Sequence, residues 1–154
     1  MPDTPDRQPR LTETILAFDY GLRRIGVAVG QFVTRSASPL GIVANNENGP
    51  DFLAIDALVA EWRPSRLVVG IPMHADGSPS EMLAPVKAFI EELGRYELPV
   101  DTVDERYTSV EAQTMLKGAR AAGARGRIRK EDIDAAAAVM IAERFLAASP
   151  TPRS

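Results

Sequence analysis

The sequence predicts an α/β protein with a mixed five-stranded sheet flanked by helices. Three observations carry that prediction. Near the start, two apolar runs, Thr14–Phe18 (TILAF) and Ile25–Val29 (IGVAV), flank a charged turn containing glycine, the signature of a β-hairpin. Further on, apolar runs of strand length, Arg66–Ile71 (RLVVGI) and Leu98–Val103 (LPVDTV), alternate with helical stretches. Asp132–Ala148 is a strongly apolar, alanine-rich helix. A hairpin meander followed by alternating strands and helices indicates a mixed sheet with helices packed on it.

In chain order, TILAF stops at Asp19-Tyr20-Gly21, and IGVAV resumes after Leu22-Arg23-Arg24. Ser38–Ala44 is a third strand, followed by the turn cluster Asn45–Pro50 (NNENGP). Asp51–Trp62 spaces Phe52, Ile55, Leu58 and Val59 as a helix does, with Asp51 as its N-cap and Pro64 as its stop. Arg66–Ile71 is a buried strand ended by Pro72, and Met73–Pro79 is a loop. Ser80–Tyr96 reads as a helix with Ser80 and Glu81 in its first turn, although Pro85 lies deeper than proline prefers. Leu98–Val103 ends in Asp104-Glu105-Arg106. Thr108-Ser109-Val110-Glu111 matches a capping box, which predicts a helix from about Val110 through Leu116 or beyond. No repeat or linker divides the chain. Residues 12–148 are expected to form one domain, with the proline-rich polar ends 1–11 and 149–154 flexible.

The composition narrows the chemistry. The chain has 154 residues, which suits one domain and leaves no room for the paired lobes of a sugar kinase or an actin-like ATPase. Without cysteine there is no disulfide framework, thiolate nucleophile or iron–sulfur cluster. With His74 as the only histidine, a tetrahedral nitrogen/sulfur zinc site is excluded too. Any metal must then be held mainly by oxygen, which points to Mg²⁺ or Mn²⁺. No stretch approaches the ~20 apolar residues of a membrane helix, and the first residues lack a signal-peptide core, so a cytoplasmic protein is expected.

Three acidic positions stand where a strand ends or a buried helix begins. Asp19 follows TILAF, Glu105 (with Asp104) follows LPVDTV, and Asp134 (with Asp132) opens the alanine-rich helix. Ligands of α/β sheets gather at strand ends and helix N-termini. Carboxylates converging there repel one another unless cations intervene, so their joint placement is a metal-site pattern. Singly, each has a plainer reading: Asp19 as a turn-former, Glu105 as a partner of Arg106, and the aspartates as helix-dipole charges. Ala135–Ala138 would let the last helix approach the sheet closely, although alanine is also simply the best helix former. His74, without an obvious partner, either helps bind a phosphate or faces solvent.

Net charge is −3, which on its own argues against a nucleic-acid partner. Its distribution says otherwise. Met115–Lys130 (MLKGARAAGARGRIRK) carries Lys117, Arg120, Arg125, Arg127, Arg129 and Lys130 and no acid. Arg23 and Arg24 lie beside Asp19, and Arg106 lies beside Glu105. Arginines interrupted by glycine suit a loop that grips phosphates; a solvated charge run is the alternative.

Four stretches in order, ILAFDYGLRRIGVAVG, LVVGIPMHADGSPSEM, VDERYTSVEAQ and IDAAAAVMIAERFL, resemble the YqgF/RuvX family of bacteria. That family is described as pre-16S ribosomal RNA nucleases and Holliday-junction-resolvase-like proteins. The resemblance covers nearly all of Ile15–Leu146. It implies a ribonuclease-H-like fold and metal-dependent phosphodiester hydrolysis. The family's catalytic and metal-holding carboxylates fall on Asp19, Glu105 and Asp134. Two cations about 3.5–4 Å apart would activate a water and stabilise the leaving oxygen. Arg23, Arg24, Arg106, Lys117, Arg120, Arg125, Arg127 and Arg129 would bind the backbone of a nucleic acid, with ribosomal RNA precursor favoured and branched DNA the alternative substrate. A non-catalytic RNA- or ribosome-binding module of the same fold is the other alternative, and the chain is expected to be a monomer or homodimer.

Overall fold

Strand β1 (Thr14–Tyr20) lies inside the sheet, and the alternation of its side chains divides the core into two halves. Leu16 and Phe18 point to one face, Ile15 and Ala17 to the other, and all four are fully buried. The computed structural model describes residues 13–72, 80–104 and 130–148, with the side chains of 130–134 excepted.

Strand β2 (Arg24–Gln31) pairs antiparallel with β1, and β3 (Ser36–Asn46) pairs antiparallel with β2. The two-residue β4 (Gly49–Pro50) closes that edge against Asn45 and Asn46. On the other side of β1, β5 (Arg66–Ile71) and then β6 (Val100–Asp104) pair in parallel, giving the order β4-β3-β2-β1-β5-β6. The sheet thus has six strands where the sequence indicates five. The extra one is a short bridge inside the NNENGP cluster, below the length that periodicity detects. There Asn46 Oδ1 accepts from the Asn48 N–H at 2.9 Å, and Gly49 takes a φ of 105°, which favours glycine.

Helix α1 (Phe52–Trp62) begins as expected, with the Asp51 carboxylate accepting from the Ala54 N–H at 3.3 Å. It ends on Arg63 in the left-handed conformation (φ 46°), directly before the buried Pro64. Helix α2 (Leu83–Leu93) starts later than the Ser80 that sequence reading gives. Ser80 Oγ accepts from the Met82 N–H at 3.0 Å in a preceding turn. The later start puts Pro85 in the first helical turn, where no N–H is required of it. A 3-10 turn (Gly94–Tyr96) follows. Helix α3 (Lys130–Ala148) starts two residues before the expected Asp132.

Helices α1 and α2 cover one face, packing Ile55, Val86, Phe89 and Leu93 against Leu16, Phe18, Val27 and Val69. Phe18 and Phe89 meet edge to face, ring centroids 5.7 Å apart. Helix α3 covers the other face, where Ile141, Ala142 and Leu146 pack on Ile15, Ala17 and Val68. Among the described residues no helix is long and apolar enough to cross a membrane.

Candidate active site

Asp19 continues the face of β1 that carries Ile15 and Ala17, so two-residue alternation directs it to the side that α3 covers. It is half-buried and stands opposite Gly26 in the β1–β2 ladder. Because β1, β5 and β6 run parallel, their C-terminal ends reach one edge of the sheet: Phe18 pairs with Val69, and two residues further Ile71 pairs with Asp104. The end of β6, after which Glu105 follows in the chain, therefore shares that edge with Asp19.

Close approach of α3 follows from small residues on both sides. The residues of β2 that face α3 are Gly26, Ala28 and Gly30, paired in turn with Asp19, Ala17 and Ile15. Ala135, Ala136, Ala137 and Ala138 of α3 are all buried, and Ala138 packs with Ala28. At the far end Leu146 sits against Ile15, and a methyl added at Gly30 would come within 3.2 Å of Leu146 Cδ1. From Leu146 back to Ala138, the contacts thus step along the sheet from Ile15 to Ala28, the partner of Ala17. Position 134 lies one helical turn before Ala138. The period-two run Gly26-Val-Ala-Val-Gly30 is the sequence signal for this close approach. A second tie joins α3 to the same sheet edge: Arg144 donates to the Asp104 carbonyl at 2.8 Å.

The β1–β2 turn beside Asp19 exposes Leu22 and Arg23, while Arg24 begins β2 half-buried. Asn45, which the sequence places in a turn, lies instead in β3 and is buried. Its side chain reaches the turn, Nδ2 donating to the Gly21 carbonyl at 2.7 Å. An asparagine at the end of a strand gives no sequence signal for that contact.

Asp19, Arg23 and Arg24 are therefore placed together at one end of the β1–β2 hairpin. Asp134 lies in α3, with its side chain outside the described residues. Glu105, Arg106, Lys117, Arg120, Arg125, Arg127 and Arg129 lie outside the described residues, as do His74, the predicted Val110–Leu116 helix and the ends 1–11 and 149–154.

Comparison with known proteins bears on this geometry. The chain is 52% identical over 134 residues to the "Putative pre-16S rRNA nuclease" of Burkholderia lata, covering 86% of this chain and 88% of that one. It is 48% identical to the protein of the same name from Paraburkholderia xenovorans, over 86% of this chain and 87% of that one. Two solved structures share the fold at low identity. T. thermophilus RuvC in complex with a Holliday junction substrate superposes with a TM-score of 0.52 at 14% identity, covering 89% of this chain and 98% of that one. The yeast mitochondrial Holliday junction resolvase Ydc2 gives 0.54 at 11% identity, over 92% of this chain and 80% of that one. These likenesses confirm the ribonuclease-H-like architecture that the sequence resemblance implies. The family model described as "RuvX: Holliday junction resolvase" matches residues 13–148, and with the close relatives it establishes that this chain belongs to the RuvX family.

Proposed function

We propose that this chain is a divalent-metal-dependent endonuclease that hydrolyses phosphodiester bonds of ribosomal RNA precursor, at the 5′ end of pre-16S rRNA. The observation that carries the proposal is the position of Asp19. It stands at the C-terminal end of an inner strand, on the face that α3 covers, over a stripe of glycine and alanine. The names of the close relatives supply the RNA class.

Asp19, the one described member of the proposed donor set, is chemically suited to Mg²⁺ or Mn²⁺. A half-buried aspartate in a chain without cysteine offers hard oxygen ligands and no soft ones. Asp19, Glu105 and Asp134 would hold the cation, which when bound supplies Lewis-acid stabilisation of the phosphate and lowers the pKa of an attacking water. The chain itself binds and orients. Arg23, Arg24 and Arg106, with Lys117, Arg120, Arg125, Arg127 and Arg129, would engage backbone phosphates. Folded RNA presents phosphates and 2′-hydroxyls rather than a readable major groove, so these contacts would select shape.

Asp19→Asn tests the proposal. The variant should lose at least about 100-fold in the rate of precursor cleavage with Mg²⁺ or Mn²⁺, while its unfolding midpoint stays within a few degrees. Unchanged cleavage would show that this carboxylate does not act. Parallel assays on precursor RNA and a four-way DNA junction separate the two substrates, and preferential cutting of the junction would overturn the RNA assignment.

A further inference from the structure

The β1–β2 turn is held from two directions. Asn45, at 6% exposed, is the one buried polar side chain among the described residues. Its Nδ2 donates to the Gly21 carbonyl at 2.7 Å, and its backbone N–H donates to the Arg23 carbonyl at 3.0 Å. The carbonyls on either side of Leu22 are thus both tied to β3. Gly21 also leaves no room for a side chain, because a Cβ there would lie 2.6 Å from the Arg24 carbonyl oxygen. The outcome is a fixed tip that presents Leu22, 63% exposed, and the exposed Arg23. Leu22 and Arg23, with Asn45, Asn46 and Glu47, line an open cleft of about 440 Å³.

Burying an amide is unfavourable unless its hydrogen bonds are met, and an apolar residue here would leave the Gly21 carbonyl without this donor. An amide whose donor is committed to a turn carbonyl determines where that turn sits. Holding a cationic tip in one place lowers the ordering cost when it meets a ligand. Asp19 is held independently, by its own ladder pairing with Gly26.

We propose that Asn45 is a positioning residue for substrate binding, fixing the Gly21–Arg23 tip so that the Arg23 guanidinium engages a backbone phosphate of the nucleic acid. The identity of that ligand rests on the nuclease reading above. Asn45 acts through Arg23 and not on the carboxylates, so its removal weakens binding and spares turnover.

Anisotropy titration with a labelled precursor RNA hairpin, together with steady-state cleavage in Mn²⁺, tests this. Asn45→Leu keeps roughly the volume and removes the donor without adding a charge. We expect Kd and KM to rise about five- to tenfold, the effect of about one hydrogen bond. kcat should stay within about twofold, and the slope of log K against log salt should fall by about 0.7, the equivalent of one phosphate. Arg23→Ala should reproduce the weakening. The double variant should bind no more weakly than Arg23→Ala alone, since the two act as one unit. An Asn45→Leu variant with unchanged KM and only a lowered unfolding midpoint overturns the proposal, as does additivity with Arg23→Ala. If Asn45→Leu fails to fold, Asn45→Ser takes its place in both assays, and unchanged Kd and KM in that variant overturn the proposal. A wild-type chain that binds neither RNA nor the DNA junction overturns the nuclease reading and this proposal together. A wild type that binds and cuts while Asn45→Leu behaves identically overturns this proposal only.

Discussion

Tyr96 shows how one side chain couples the α2 end of the fold to pH. Burial pushes its phenol above the usual range. The Asp56 carboxylate, which accepts its hydroxyl, pushes the same way, and Arg95 acts weakly in the opposite sense. A phenol that ionises less readily in the folded state than in the unfolded chain gives its full stabilisation below about pH 10. That contribution is lost as pH rises above about 10 towards the folded value. Tyr96→Phe should lower the unfolding midpoint by about 2–4 °C at neutral pH, one hydrogen bond in a domain of this size. Thermal melts between pH 8 and 11 should show the wild type losing its advantage over the variant as pH rises. At the same scale, legibility from sequence is uneven. Asp19 is readable because it ends an apolar run two residues before Gly21. Asn45 is not, because its partner lies 24 residues away across two strands and no local pattern encodes such a contact.

Among the elements, α3 is the most demanding fit. Its buried alanines lie over the small residues of β2, so volume added where they meet has nowhere to go. Ala138→Leu should cost about 1–3 kcal/mol in chemical denaturation, by overpacking against Ala28. It should also reduce cleavage, because the helix that bears Asp134 must move off the sheet. Leu146→Ala acts by the opposite mechanism, leaving a cavity beside Ile15 at a cost of about 2–5 kcal/mol. Long periodic elements are well marked in the sequence: α1 and β5 have nearly the bounds that apolar spacing and proline stops give. Two ends are less legible. The start of α2 depends on Ser80 and Pro85 jointly, and β4 exists only because Asn45 and Asn46 offer it a partner.

For the whole molecule, the net charge of −3 misleads as a guide to partners, since cations are segregated along the chain. Replacing Arg120, Arg125, Arg127 and Arg129 by glutamine should weaken RNA binding and flatten the salt slope by about 3, roughly 0.7 for each phosphate no longer neutralised. A slope unchanged from wild type would remove this segment from the interface. The open side of β3 bears on how molecules coexist. Gly41 opposes Val27 and Pro39 opposes Ala28, so Leu40 is an extra residue in a bulge, and Gly41 takes a φ of 121°. A proline and a bulge on a strand edge discourage pairing with a second sheet.

Strand pairing also has a temporal side. The β1–β2–β3 meander joins residues close in sequence, whereas α3 must return across more than 100 residues to seal Ile15 and Ala17. Contacts that close short loops form early and those that close long ones form late. During synthesis the strand bearing Asp19 is therefore laid down well before the helix bearing Asp134 can dock. A half-made chain would thus hold its hairpin, with one face of β1 still open, before the helix that completes the second half of the core has been synthesised.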